Sequence, residues 1–174
     1  HSEMPQQQDG LLAGFQLWVN LPAKHKMTEP RYQEFEQEMI PQEQRSDGVK
    51  IIVVAGETSQ HTRGAVTELM TPALFFDISL DAGAKFIEPV EEHFNAFIYL
   101  LQGSIDIGNS PLKGRTLAVL GKGESIEITA DEPSRLILVA GQPLDEPIVR
   151  GGPFVMSSED ELKQAFKDYQ EGRF

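Results

Sequence analysis

The sequence predicts an all-β domain, a sandwich or closed barrel with a C-terminal helix, and three observations predict it. Residues 95–109 read NAFIYLLQGSIDIGN: Phe97, Tyr99 and Leu101 alternate with Ala96, Ile98 and Leu100, Gly103 breaks the run, and Ile105 and Ile107 resume on one face. Period-two alternation rich in aromatic and β-branched residues is the mark of strands, here two neighbouring antiparallel ones, the first apolar on both faces and so deeply placed. About eight or nine such runs follow one another between residues 49 and 141, with turn residues between them. Beyond residue 157 the apolar period changes from strand-like to helix-like.

In chain order, residues 1–10 read as polar loop, and residues 15–21 place Phe15, Leu17, Val19 and Leu21 on one face of a strand without an evident partner. Residues 24–44 are polar, carry Pro30 and Pro41, and read as a surface linker with a short helical turn near 33–38. Residues 49–55 (VKIIVVA) form an apolar strand ended by Gly56; 66–69 suggest a short edge strand. Residues 74–80, 84–87, 117–120, 125–129 and 135–140 alternate as strands, with Asp81-Ala82-Gly83, Gly121-Lys122-Gly123 and Asp131-Glu132-Pro133 as turns. After the break at Gly151-Gly152-Pro153 and the apolar Phe154-Val155-Met156, Ser158 and Glu161 fit a capping box. Leu162, Ala165, Phe166 and Tyr169 then share the helical face that should dock on the β-domain.

A chain of 174 residues suffices for one domain with appendages, and 40% hydrophobic with 24% charged residues is ordinary for a globular protein. The net charge of −12 argues against direct contact with nucleic acid or an anionic membrane, both of which select lysine and arginine clusters. Without cysteine there is no disulfide, thiolate metal site or cysteine nucleophile. No apolar run can span a bilayer, so a cytoplasmic protein, or a nuclear one in a eukaryote, is expected.

The glycine frame resembles that of a cupin barrel, in which a His-x-His pair, a glutamate and a third histidine hold a divalent metal. Counting from Gly83 puts Pro89 and Glu91 at the paired positions, and counting from Gly123 puts Ile126 at the third. Isoleucine cannot ligate, so this barrel is expected to be metal-free. At the start, His1 and Glu3 would share one face of an extended segment and could give one nitrogen and one oxygen to Fe, Mn, Ni or Zn. His1 is otherwise a tag residue and Glu3 a solvated loop charge. His25 between two lysines, and His61 and His93 in polar loops without a metal-spaced partner, read as surface. Glu91-Glu92 reads as solvated loop and the run 159–161 as a favourable helix start. Ser157 and Ser158 lack a His-Asp context, and Trp18 reads as interface or core.

Taken together, His-Ser-Glu-Met-Pro at 1–5, GFQLWVNL, LPAKHKMTEPRYQE, IIVVAGE, AFIYLLQG, LILVAGQPLDEPIV and GGPFVM resemble the pirin family across nearly the whole chain. The resemblance implies the C-terminal half of a bicupin: a double-stranded β-helix (jelly-roll) barrel with a C-terminal helix. Residues 1–23 would be the remnant of an N-terminal metal-binding cupin, 24–47 the interdomain linker, 48–146 the metal-free barrel and 147–174 the tail and helix. It also implies an iron site, Fe(II) or another divalent metal, made of three histidines and a glutamate. Two of these are His1 and Glu3, the latter a candidate catalytic base; the others belong to an earlier His-x-His that this chain does not contain. Two ligands on a chain end leave a metal weakly held or absent in this chain alone.

The resemblance implies two functions. One is a quercetin 2,3-dioxygenase-type oxidoreductase acting on a flavonol when intact, with this chain alone inactive. The other is a metal-dependent co-regulator, transcriptional or metabolic, acting on a protein partner. The missing N-terminal segment is the first partner expected in either case.

Overall fold

The computed structural model describes residues 14–45 and 47–173, and two sheets build the fold. A six-stranded antiparallel sheet contains β1 (Gln42–Arg45), β2 (Val49–Ala55), β3 (Ala73–Leu80), β5 (Asn95–Gln102), β8 (Thr116–Val119) and β10 (Ser134–Gly141), in the order β1-β2-β3-β10-β5-β8. A four-stranded sheet contains β4 (Lys85–Pro89), β6 (Ser104–Ile107), β7 (Ser110–Lys113) and β9 (Ser125–Ala130), in the order β4-β9-β6-β7. The inward faces of both meet in one core, where Ile51, Phe76, Ile78, Phe86, Ile98, Leu100, Ile105, Leu136 and Leu138 have no exposed surface. Each such side chain contributes about 1.5–3 kcal/mol by leaving water.

The two strands of residues 95–109 are not neighbours. β5 pairs with β10 and β8, whereas β6 pairs with β7 and β9 in the other sheet. Gly103, at φ +95°, is the corner through which the chain changes sheets. Nor is β5 deep on both sides: Phe97 and Tyr99 on its outer face are only half-buried.

Residues 14–22 form no sheet ladder, so the strand expected at 15–21 is absent. Phe15 instead lies on the outer face of the six-stranded sheet, its ring edge-on to Tyr99 at 5.8 Å and 66°. The short strand expected at 66–69 reduces to one bridge between Ala55 and Val66. The helical turn near 33–38 sits slightly later, at Gln37–Met39, and a second turn occupies Ala23–His25. The six-stranded sheet begins at Gln42, inside the stretch read as linker.

The tail forms a ribbon of β11 (Val149–Gly151) and β12 (Phe154–Met156) followed by α1 (Glu159–Gln170). Ser158 Oγ accepts from Glu161 N at 3.2 Å, while Glu161 Oε2 accepts from Ser157 N at 3.0 Å, a capping box displaced by one residue on its return bond. The helix docks on the ribbon: Phe154 stacks edge-on against Phe166 (5.1 Å) and Tyr169 (5.9 Å). Among the described residues no helix is long and apolar enough to cross a membrane.

Candidate functional site

Three places on the barrel concentrate chemistry. The first is a buried ionic cluster at the corner where the edge strands β1 and β4 meet. Strand β1 is polar (QEQR), yet the side chains of Glu43 and Arg45 are only 5% and 12% exposed and that of Glu88 on β4 only 2%. Arg45 Nε donates to Glu43 Oε1 at 2.6 Å, Nη2 to Glu88 Oε2 at 2.5 Å and Nη1 to the Ile87 carbonyl at 3.0 Å. Its guanidinium carbon lies 5.4 Å from the centre of the Phe86 ring. Ser59 donates to Glu88 through its amide (2.5 Å) and hydroxyl (3.1 Å), and the Thr58 hydroxyl donates to Glu43. Sequence reading missed this cluster because no motif joins residues 43, 45, 58 and 88; burial of charge is decided by the fold.

Burial by itself raises the Glu43 carboxyl, but hydrogen bonds from Thr58, Arg45 and Thr62, with the Arg45 charge, more than offset it and leave it below its ordinary 4.5. A depressed carboxyl binds fewer protons in the folded than in the unfolded chain, so its contribution is present above pH 4.5 and lost as pH falls through the folded value. Acid titration of urea stability should therefore show a loss beginning near that pH, and Glu43→Gln should flatten it.

The second place is the barrel end where the β2–β3, β4–β5 and β8–β9 connections gather. A cleft of about 920 Å³ opens there, beside a hollow of about 320 Å³, and Val90, Glu91 and Phe94 line both. The positions counted for cupin ligands fall here. Ile126 is 5% exposed and packs in the core, Pro89 points outward at the end of β4, and Glu91 is exposed. The inward-facing neighbours are Glu88, engaged by Arg45 and Ser59, and Val90. Among the described residues no three His, Cys, Asp or Glu side chains are placed to hold a metal ion.

The third place is the outer face of the six-stranded sheet, where a hollow of about 260 Å³ lies between Phe15 and Leu17 on one side and Phe97, Tyr99 and Val139 on the other. The apolar face runs on beyond them through Leu117, 57% exposed, and Val119, 80% exposed.

His1 and Glu3, the metal-ligating pair expected from sequence, lie outside the described residues. His25 is half-buried. His61 is exposed but does have a carboxylate partner, Glu57 Oε1 at 2.9 Å from its Nδ1, and His93 packs edge-on against Phe94 at 5.0 Å. Ser158 caps α1, and Ser157 Oγ is buried without a hydrogen-bond partner among the described residues. Trp18 is 59% exposed.

The sequence profile of the pirin C-terminal cupin domain matches residues 75–174. A pirin-like protein of Caulobacter vibrioides is 43% identical over 174 residues, which is 100% of this chain and 63% of that protein. Human pirin is 38% identical over 179 residues, covering 99% of this chain and 60% of its own length. The crystal structure of quercetin 2,3-dioxygenase from Acinetobacter baumannii matches with a TM-score of 0.83 at 34% identity, over 90% of this chain and 55% of that one. This chain thus spans less than two thirds of the length of these relatives. Glycine corner, paired sheets, C-terminal helix and sequence agree: the chain belongs to the pirin family and comprises its C-terminal cupin domain.

Proposed function

We propose that this chain is the C-terminal portion of a metal-dependent oxidoreductase of the quercetin 2,3-dioxygenase type, with a flavonol as substrate. The observation that carries the reading is the agreement in fold and sequence with the Acinetobacter baumannii enzyme over 90% of the chain. The barrel described above has no donor set for a metal among its described residues. On the family resemblance, the metal, Fe(II) or another divalent ion, is assigned to His1 and Glu3 together with donors from an N-terminal lobe. When bound there it would supply Lewis-acid activation of the flavonol and oxygen. Glu3 is the candidate base for the flavonol hydroxyl proton. The C-terminal barrel acts as the scaffold, and the exposed apolar strip at Leu117 and Val119 supports its outer face as the seat of that lobe.

The test is oxygen uptake and quercetin loss by the full-length protein loaded with Fe(II). Turnover should exceed that of free iron, and His1→Ala and Glu3→Gln should each lower kcat at least about a hundredfold. Equal rates for the protein and free iron would refute the reading.

A further inference from the structure

The geometry points to the large cleft at the barrel end as a docking groove for a basic, amphipathic segment of a protein partner. This goes beyond the dioxygenase reading and does not depend on it. The cleft, about 920 Å³, has an apolar floor of Leu74, Val90 and Phe94, which the adjoining 320 Å³ hollow extends toward Leu120 and Ile126. A floor of this kind releases water when a leucine- or phenylalanine-sized side chain covers it.

The rim states the charge of the occupant. Five glutamates line the cleft against a single arginine, Arg63, which is spent on Glu57 at 2.8 Å. Glu68 is taken by Arg31 of the linker. Glu91, Glu92 and Glu124 remain exposed, with no side-chain hydrogen bond or ion pair among the described residues. These carboxylates are not placed to cage an ion. They stand on two connections around an apolar floor, Glu91 and Glu92 between β4 and β5 and Glu124 between β8 and β9, so a single compact cation does not answer all of them. A chain segment with lysines or arginines flanking an apolar anchor answers both floor and rim. The overall charge of −12 would speed its approach and suppress acidic competitors.

The experiment measures fluorescence anisotropy of a short dye-labelled peptide of alternating lysine and leucine with the protein, at low and raised salt. Glu91→Gln, Glu92→Gln and Glu124→Gln together should weaken binding roughly tenfold and reduce its salt dependence, the sum expected of three exposed charge pairs. Phe94→Ala should weaken it roughly tenfold as well. Glu159→Gln with Asp160→Asn, on the distant helix, should leave it unchanged. Because Phe94→Ala could unfold the barrel, its thermal transition is compared with that of the parent, and the surface glutamine variant carries the test alone if the two differ. No binding to the parent protein overturns the proposal. So does unchanged binding by the glutamine variant, equal affinity for a lysine-only peptide, or displacement of the peptide by butylamine at equal concentration.

Discussion

Gly103→Ala should cost about 2–5 kcal/mol of folding stability, a large share of what a domain of this size possesses. Gly103 turns the chain from β5 in one sheet to β6 in the other, at φ +95°. A side chain disfavours that conformation by about 1–2 kcal/mol. Space adds the larger part: a Cβ at Gly103 would lie 2.1 Å from Ser134 Oγ and 2.7 Å from Ser134 Cα. Ser134 cannot swing aside cheaply, because its hydroxyl donates toward the carbonyls of Glu132 (2.8 Å) and Ser104 (3.2 Å) and accepts from Ser104 N at 3.1 Å. Gly83→Ala isolates the conformational part, since Gly83 also has a positive φ (+80°) but nothing within 4 Å of its Cβ position. Urea unfolding of the two variants should differ by more than about 1 kcal/mol; equal losses would show that Gly103 is needed only for its backbone angle.

Arg45→Met should destabilise the protein by about 3–5 kcal/mol at neutral pH, because it leaves two buried carboxylates without their shared counter-charge. The location makes this a closure effect as well as an electrostatic one. β1 and β4 are the edges of different sheets, no ladder among the described strands joins them, and Arg45 spans the corner to the Ile87 carbonyl and to Glu88. The pH dependence should change sign. In the parent, Glu43 is held below its ordinary value, so stability falls as pH drops through that range. In Arg45→Met the same carboxyl, still buried, prefers its neutral form, so its folded value rises above its ordinary one and stability recovers as pH drops through it. Combining Arg45→Met with Glu43→Gln and Glu88→Gln should restore most of the loss, since no uncompensated charge then remains. Failure of the triple variant to recover would mean that packing of the guanidinium on Phe86 matters more than charge.

Most strands were legible because alternation is a property of the chain itself. Residues 49–55, 74–80, 125–129 and 135–140 became β2, β3, β9 and β10 within a residue or two at each end. Their alternating positions are those that enter the core. The helix start was legible for a similar reason, a cap being made by residues three apart. Pairing was not. Alternation reports which side of a strand is apolar, not which strand lies beside it, so residues 95–109 read as a hairpin although Gly103 sends its two halves to different sheets. The same ambiguity made residues 15–21 read as a strand, because an extended segment lying across a sheet face can alternate like one inside it.

Sequence by itself determined the all-β class, the positions of the principal strands and the capped terminal helix. Tertiary structure alone decided that the polar strand Gln42–Arg45 belongs to the barrel, that Arg45 bridges two carboxylates drawn from strands more than forty residues apart, and that loop glutamates converge around an apolar floor. The physical reason is range. Propensity, alternation and capping act over a few residues and are written locally, whereas burial of a charge or the shape of a cleft exists only once distant segments have been brought together.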